Sequence, residues 1–216
     1  MSLPVLWSFR RCPYAMRARL AVASAGIPCD LREVVLRDKP GAFLDTSPSG
    51  TVPCLNTGTT VIDESRDIMH WALAQSDPEG WLDMPTLGHS LIDVCDGAFK
   101  TALDHYKYPT RYAGIDPVAE RGSAGVFLHE LNAQLGTTPY LFGPTPKLAD
   151  MAILPFIRQV AHVDLDWFTQ QDWTAVTAWL DRFKTSQTFA QIMHKIPQWT
   201  PDSPPLPFPG PVPVAG

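Results

Sequence analysis

The chain has 216 residues, 45% of them hydrophobic and 18% charged, with a formal net charge of -5 and a pI near 5.6. That length fits one large domain or two small ones, and the apolar share is enough for a core. The acidic balance argues against a nucleic-acid binder, which needs a basic face, and no apolar run approaches the length that spans a membrane.

The opening "MSLPVLWSFRR" has no basic region followed by a long apolar run, so it reads as the start of a folded strand and not as a secretory signal. Four cysteines, Cys12, Cys29, Cys54 and Cys95, are too widely and irregularly spaced for a disulfide framework. Reduced thiols in a cytoplasmic protein are the natural reading. No pair has zinc-ligand spacing with histidines nearby, so no metal site is expected.

In chain order, "PVLWSF" is a short apolar strand, and residues 13–25 place Met16, Leu20 and Ala23 at helical spacing, with Arg17 and Arg19 off that stripe. Gly26 ends this helix. "CDLREVVL" reads as a second strand and "PGAFLDTSP" as a short helix or loop. "TVPCLNTGTTVID" reads as two strands about the turn Asn56-Thr57-Gly58. Residues 65–75 form another helix with Ile68, Trp71 and Ala72 on one face.

"SDPEGWLDMPT" reads as a linker, and beyond it the strands disappear. Four amphipathic helices follow, over 87–108, 116–135, 148–163 and 174–193, the second opened by Asp116 as N-cap and Pro117 at the first helical position. The tail "PQWTPDSPPLPFPGPVPVAG" is too rich in proline for a helix. It is either a free end or an extended strap, and partial packing through Trp199 and Phe208 is expected. The expected division is an α/β domain over 1–78, an all-α domain over 88–196 and a proline-rich tail over 197–216.

Three places carry chemistry. Cys12 precedes Pro13 at the start of a helix, where unpaired backbone N–H groups and the positive end of the helix dipole favour thiolate. Flanking arginines add positive field if they point that way; the bland alternative is a buried, inert cysteine. At Thr51-Val52-Pro53, proline follows a turn-like Ser49-Gly50 and suggests a tight bend. A cis bond there exposes the Val52 backbone to a peptide-like ligand; the alternative is an ordinary strand entry. At Asp63-Glu64-Ser65, Ser65 is a candidate N-cap. That helix start can also take a carboxylate, with Glu64 holding an ammonium group; taken alone, the pair reads first as simple capping.

The segments "CPYAMRARLAVASAGI", "LRDKPGAF", "SPSGTVPCL" and "IDESRDI", in that order, resemble the thioredoxin-like domain of glutathione transferases. They are most similar to the cysteine-type members, omega-like enzymes and the two-domain glutaredoxin with a helical C-terminal domain. The resemblance covers residues 4–76 well and the helical part loosely, and it implies the glutathione transferase fold. It implies that Cys12 forms a mixed disulfide with glutathione as co-substrate. It further implies that Pro53 is cis, that Val52 pairs its backbone with the cysteinyl part, and that Glu64 and Ser65 hold the γ-glutamyl end. Lys39 matches the lysine that reaches the glycyl carboxylate, or is a solvated loop lysine. Tyr14 packs against the ligand or covers the helix start. A homodimer belongs to the family pattern. In "GPTPKLADMAILPF" the family's capping serine or threonine is replaced by Lys147, so Thr145 is a substitute candidate cap, with Asp150 still bonding backbone near the helix start.

Alanine at position 15 removes a local second thiol, so a mixed disulfide on Cys12 needs a thiol from solution, with free glutathione the obvious one. The expected activity is glutathione-dependent thiol transfer on a small-molecule or protein disulfide, with dehydroascorbate reduction or deglutathionylation as variants on the same thiolate. Two alternatives stand beside it. One is a non-catalytic binding or regulatory protein on the same fold, with the tail as a partner ligand. The other is a membrane-inserting relative of the chloride-channel type. Cys54, after Pro53, is a core residue or a second thiol near Cys12. Phe99, Tyr106, Tyr108 and Phe156 either line a second substrate's site or belong to the core.

Overall fold

The computed structural model describes residues 3–210, which form two compact units. One combines the chain up to Glu79 with the chain from Thr185 onward; the other is Gly80–Lys184.

The first unit is built on a five-stranded sheet of order β4-β3-β1-β2-β5. Its strands are β1 (Val5–Ser8), β2 (Cys29–Glu33), β3 (Cys54–Asn56), β4 (Val61–Ile62) and β5 (Pro207–Phe208). β1 and β2 are parallel and the other pairings antiparallel, with Ser8 in register with Glu33 and Trp7 with both Arg32 and Cys54. The parallel pair requires a crossover, which α1 (Pro13–Ser24) supplies. Gly26, at φ +67°, ends it: its N–H bonds Ala23 O while the Ile27 N–H bonds Val22 O, a Schellman close. The short α2 (Gly41–Thr46) places Phe43 in a cluster with Trp7, Ala15, Val34, Val52 and Cys54, and α3 (Ser65–Gln75) packs on α1.

Every residue of α1 from Ala15 to Val22 is buried, Arg17 and Arg19 included. The expectation of one apolar stripe with both arginines outside it is therefore corrected. The helix is enclosed all round, and its two cations are buried with hydrogen-bond partners.

The tail forms part of this unit. Phe208 pairs with Cys29 and extends the sheet. Trp199 N–H donates to Glu33 O and Leu206 N–H to the Asp30 carboxylate. Trp199 meets Trp7 edge-on at 4.9 Å, and Arg32 lies between their rings, 5.0 Å and 4.7 Å from the centroids. The described tail is thus a strap with its apolar anchors inserted, and it closes the exposed side of β2. The remaining six residues, 211–216, lie outside the described part.

The second unit contains α4 (Thr86–Val94), a π-helical turn (Cys95–Phe99), α5 (Lys100–Lys107), α6 (Pro117–Leu135), α7 (Leu148–Ala161), α8 (Leu165–Thr169) and α9 (Thr174–Lys184). The expected linker is divided, and from Gly80 onward it belongs to this unit: Trp81 is buried and its carbonyl accepts from Leu148 N–H. Asp116 caps α6 through Val118 N–H at 2.9 Å. α7 is capped at Lys147, not Thr145; Asp150 accepts the Lys147 N–H, and Lys147 Nζ donates to Gly80 O. The single helix expected over 174–193 breaks at Ser186, which caps α10 (Gln187–Ile192), and α10 packs on α1 in the first unit. Phe99 and Phe156 are core residues. Among the described residues no helix is long and apolar enough to cross a membrane, and no group of three His, Cys, Asp or Glu is placed to hold a metal ion.

Candidate functional site

Cys12 is the N-cap of α1, with Pro13 at the first helical position, where a missing N–H costs nothing. Its own N–H bonds Phe9 O at 3.0 Å, its carbonyl accepts from Met16 N–H at 2.9 Å, and its side chain is half-buried. The Cys12 Sγ lies 3.7 Å from Val52 O. The Val52–Pro53 peptide is cis.

A cavity of about 370 Å³ opens beside this pair, lined by Tyr14, Thr51, Val52, Pro53, Asp63, Glu64 and Ser65. β1, α1, β3 and α3 converge there because the loops before α1, β3 and α3 all open at one end of the sheet. Of the six residues picked from sequence, Val52, Pro53, Glu64 and Ser65 line this cavity, and Cys12 meets it through Val52. Lys39 is exposed and donates from Nζ to Gly50 O at 2.9 Å, two residues from Val52.

Ser65 is not the cap of α3. Glu64 holds the N-cap position with an exposed side chain, and Ser65 is the first helical residue, buried, its hydroxyl accepting from Arg17 Nε at 3.0 Å. The N-cap lies one residue earlier than expected, and the serine hydroxyl is engaged by a cation from α1.

Asp63 organises the loop before Pro53. It accepts from Ser47 Oγ at 2.8 Å and Ser49 N–H at 2.9 Å. Burial pushes its carboxyl up, but donation from Ser49, Ser47 and Cys54 outweighs this and holds it below the usual carboxylate range. Burial, reinforced by Asp63, pushes the Cys54 thiol up to about 12. That removes the thiolate a second-thiol role would need.

The loop leading into Cys12 is held by two residues that no local pattern singles out, Arg19 and Glu33. Arg19 donates to Phe9 O at 3.4 Å, to Arg10 O at 2.8 Å and to Ser8 Oγ. Burial lowers its guanidinium to about 10, while Glu33 and Cys12 act in the opposite sense. Both Glu33 oxygens accept the Arg10 N–H, at 2.8 Å and 3.0 Å, and burial raises this carboxyl despite Arg10, Arg19 and Arg11 nearby. The available sequence signal was two arginines two positions apart on an alanine-rich helix, which cannot both face water if the helix is enclosed.

A parallel β-α-β unit with a cysteine at the N-cap position of its helix, its Sγ beside the residue that precedes a cis-proline, is a thioredoxin-like arrangement. The family model for the glutathione S-transferase N-terminal domain matches residues 6–80, and that for its C-terminal domain matches residues 127–182. Together they cover more than half of the chain. A "Probable glutathione transferase" of Aplysia californica is 54% identical over 44 residues, a match spanning 20% of this chain and about half, 48%, of that relative. The rice "Probable glutathione S-transferase DHAR1, cytosolic" is 25% identical over 201 residues, 88% of this chain and 89% of the relative. Among solved structures, a glutathione transferase family member from Pseudomonas fluorescens, with two glutathione bound, superimposes with a TM-score of 0.77 at 16% identity, over 89% of this chain and 92% of that one. The chain belongs to the glutathione S-transferase family.

Proposed function

We propose that this chain is a glutathione-dependent thiol transferase in which Cys12 carries the glutathionyl group. The observation that carries this reading is Cys12 at the N-cap of α1, 3.7 Å from Val52 O and beside a cavity of about 370 Å³ that Val52, Pro53, Glu64 and Ser65 help to line. The Cys12 thiolate attacks the glutathione sulfur of a mixed disulfide. That S–S bond breaks, a Cys12–glutathione disulfide forms, and the leaving thiolate takes a proton from water. A second glutathione thiolate attacks the glutathione sulfur of this adduct, releasing oxidised glutathione and regenerating Cys12.

In this reading Val52 offers both backbone groups to the cysteinyl part. Its carbonyl faces Cys12, and among the described residues its N–H donates to no protein group. Pro53 fixes that segment. Glu64 takes the γ-glutamyl ammonium, while Ser65 and the first N–H groups of α3 take its carboxylate. Lys39, held near Gly50, reaches the glycyl carboxylate. Ala15 supports glutathione over an internal thiol as resolving agent, as do the buried Cys29, Cys54 and Cys95. Four cysteines that form no disulfide suit a reducing, cytoplasmic setting. Dehydroascorbate reduction and deglutathionylation use the same thiolate, and a homodimer is part of the reading.

The test is incubation with oxidised glutathione followed by intact mass and peptide mapping, with Cys12→Ala as control. One glutathionyl adduct on Cys12, absent from the variant and removed by free glutathione, is expected. No adduct on the folded wild type overturns the proposal and returns the chain to the non-catalytic reading.

A further inference from the structure

We propose that the buried Arg19 and the half-buried Glu33 are a positioning pair for Cys12, holding the acceptors and the donor of the loop before it and setting the ionisation of its thiol in opposite senses. The inference rests on Cys12 being the reactive thiol of the proposed function, but neither residue lines the cavity beside it.

The geometry is a division of labour over three residues. Residues Ser8 to Arg10 lead from β1 into Arg11 and Cys12. Arg19 takes the acceptors of this segment, the Ser8 hydroxyl and the carbonyls of Phe9 and Arg10. Glu33 takes its donor, the Arg10 N–H, with both oxygens. The β1–β2 register makes this possible, since Ser8 lies opposite Glu33. Phe9 O also accepts the Cys12 N–H, so Arg19 is one shared carbonyl away from the Cys12 backbone. The strap holds the far side, with Trp199 N–H on Glu33 O.

The charges then act on the thiol. Arg19 is almost wholly buried, so water screens it little, and its positive charge favours thiolate. Glu33 is partly buried, and its carboxylate acts on Arg19, offsetting the positive charge that Cys12 meets. Arg10 and Arg11 lie on the same loop and act on Glu33, the α1 N–H groups follow Cys12 in the helix, and Val52 O faces its Sγ; two residues past Val52 is Cys54, kept as the neutral thiol beside Asp63. Neither Arg19 nor Glu33 reacts. Both act through the position and charge state of Cys12.

The experiment is the pH dependence of Cys12 alkylation by iodoacetamide, followed by peptide mapping, in the full chain. It needs no glutathione. Glu33→Gln should move the midpoint down by about half a pH unit or more, because Arg19 loses its counter-charge. Arg19→Gln should move it up by a similar amount, and Arg19→Lys, which keeps the charge, should restore the midpoint but slow alkylation through the loosened loop. If Arg19→Gln fails to fold, Glu33→Gln and Arg19→Lys carry the test. Shifts of the same sign in both neutral variants, or an unmoved midpoint in a folded Glu33→Gln, overturn the inference. Opposite shifts without a glutathione adduct on the wild type would sink the proposed function and leave the inference standing.

Discussion

Arg17 Nε donates to Ser65 Oγ at 3.0 Å, joining α1 to the first residue of α3 where both side chains are buried. Because the serine accepts from the guanidinium, its own proton is available to a carboxylate in the adjoining cavity. Ser65→Ala should weaken glutathione binding about tenfold. Arg17→Met should act in the same direction, and the double variant should add little to either. Calorimetric titration of glutathione into the Cys12→Ala background reads all three. Fully additive losses would mean that the two residues do not act as a pair.

Glu64 is exposed at the N-cap of α3 and lines the cavity. Glu64→Gln is expected to reduce affinity for glutathione several-fold, about 1 kcal/mol, and to leave affinity for an analogue lacking the α-amino group unchanged. Equal losses for both ligands would remove the ammonium role.

The four cysteines should separate cleanly in the native protein. Burial pushes Cys29 and Cys54 up to about 12, Cys95 is fully buried, and Cys12 is half-exposed at its helix start. Iodoacetamide at mildly alkaline pH should label Cys12 alone, with the others reacting only in denaturant. Native labelling of Cys54 at a comparable rate would contradict its placement in the core.

Asp150 anchors the start of α7. One oxygen accepts from Leu141 N–H at 2.9 Å and Trp179 Nε1 at 3.0 Å, and the other from Lys147 N–H at 2.9 Å. Burial pushes its carboxyl from 3.8 up to about 6, against the pull of those donors. An acid raised in the folded state binds its proton more tightly there than in the unfolded chain. Its stabilisation is complete below the unfolded value and is lost as pH rises through about 6. Urea unfolding should therefore show the wild-type advantage over Asp150→Asn shrinking across that window. Asp150→Ala should cost about 3 kcal/mol, because buried donors are left unpaired. A flat difference with pH would mean that another group titrates.

Trp199 packs on Trp7 and covers Arg32. Trp199→Ala should cost about 2 kcal/mol in urea unfolding and speed proteolysis within the strap. Unchanged stability would mean that the strap lies on the sheet without holding it.

Legibility followed the range of the interactions. The start of α1 at Pro13 and its close at Gly26 were readable, because a ring-locked φ and a positive φ are properties of one residue and its neighbours. The same holds for Asp116 as a cap. Periodicity puts Arg17 and Arg19 off the apolar stripe because it assumes one wet face, and α1 is buried all round from Ala15 to Val22. Ser65 is a cap by residue type alone, but in the fold its hydroxyl meets an arginine 48 residues earlier in the chain. The strap was half-readable: Trp199 and Phe208 marked anchors, but the pairing of Phe208 with Cys29 joins positions no local pattern connects.

By itself the sequence determined the two kinds of architecture, the cysteine at a helix start and the order of the segments around it. These depend on local backbone preference and on motif spacing. Only the tertiary structure decided what surrounds Cys12. A parallel register sets Ser8 beside Glu33, an enclosed helix carries Arg19 under the loop, and a returning tail presses Trp199 onto the sheet. Buried charges must find partners wherever the fold brings them, and those partners lie far along the chain.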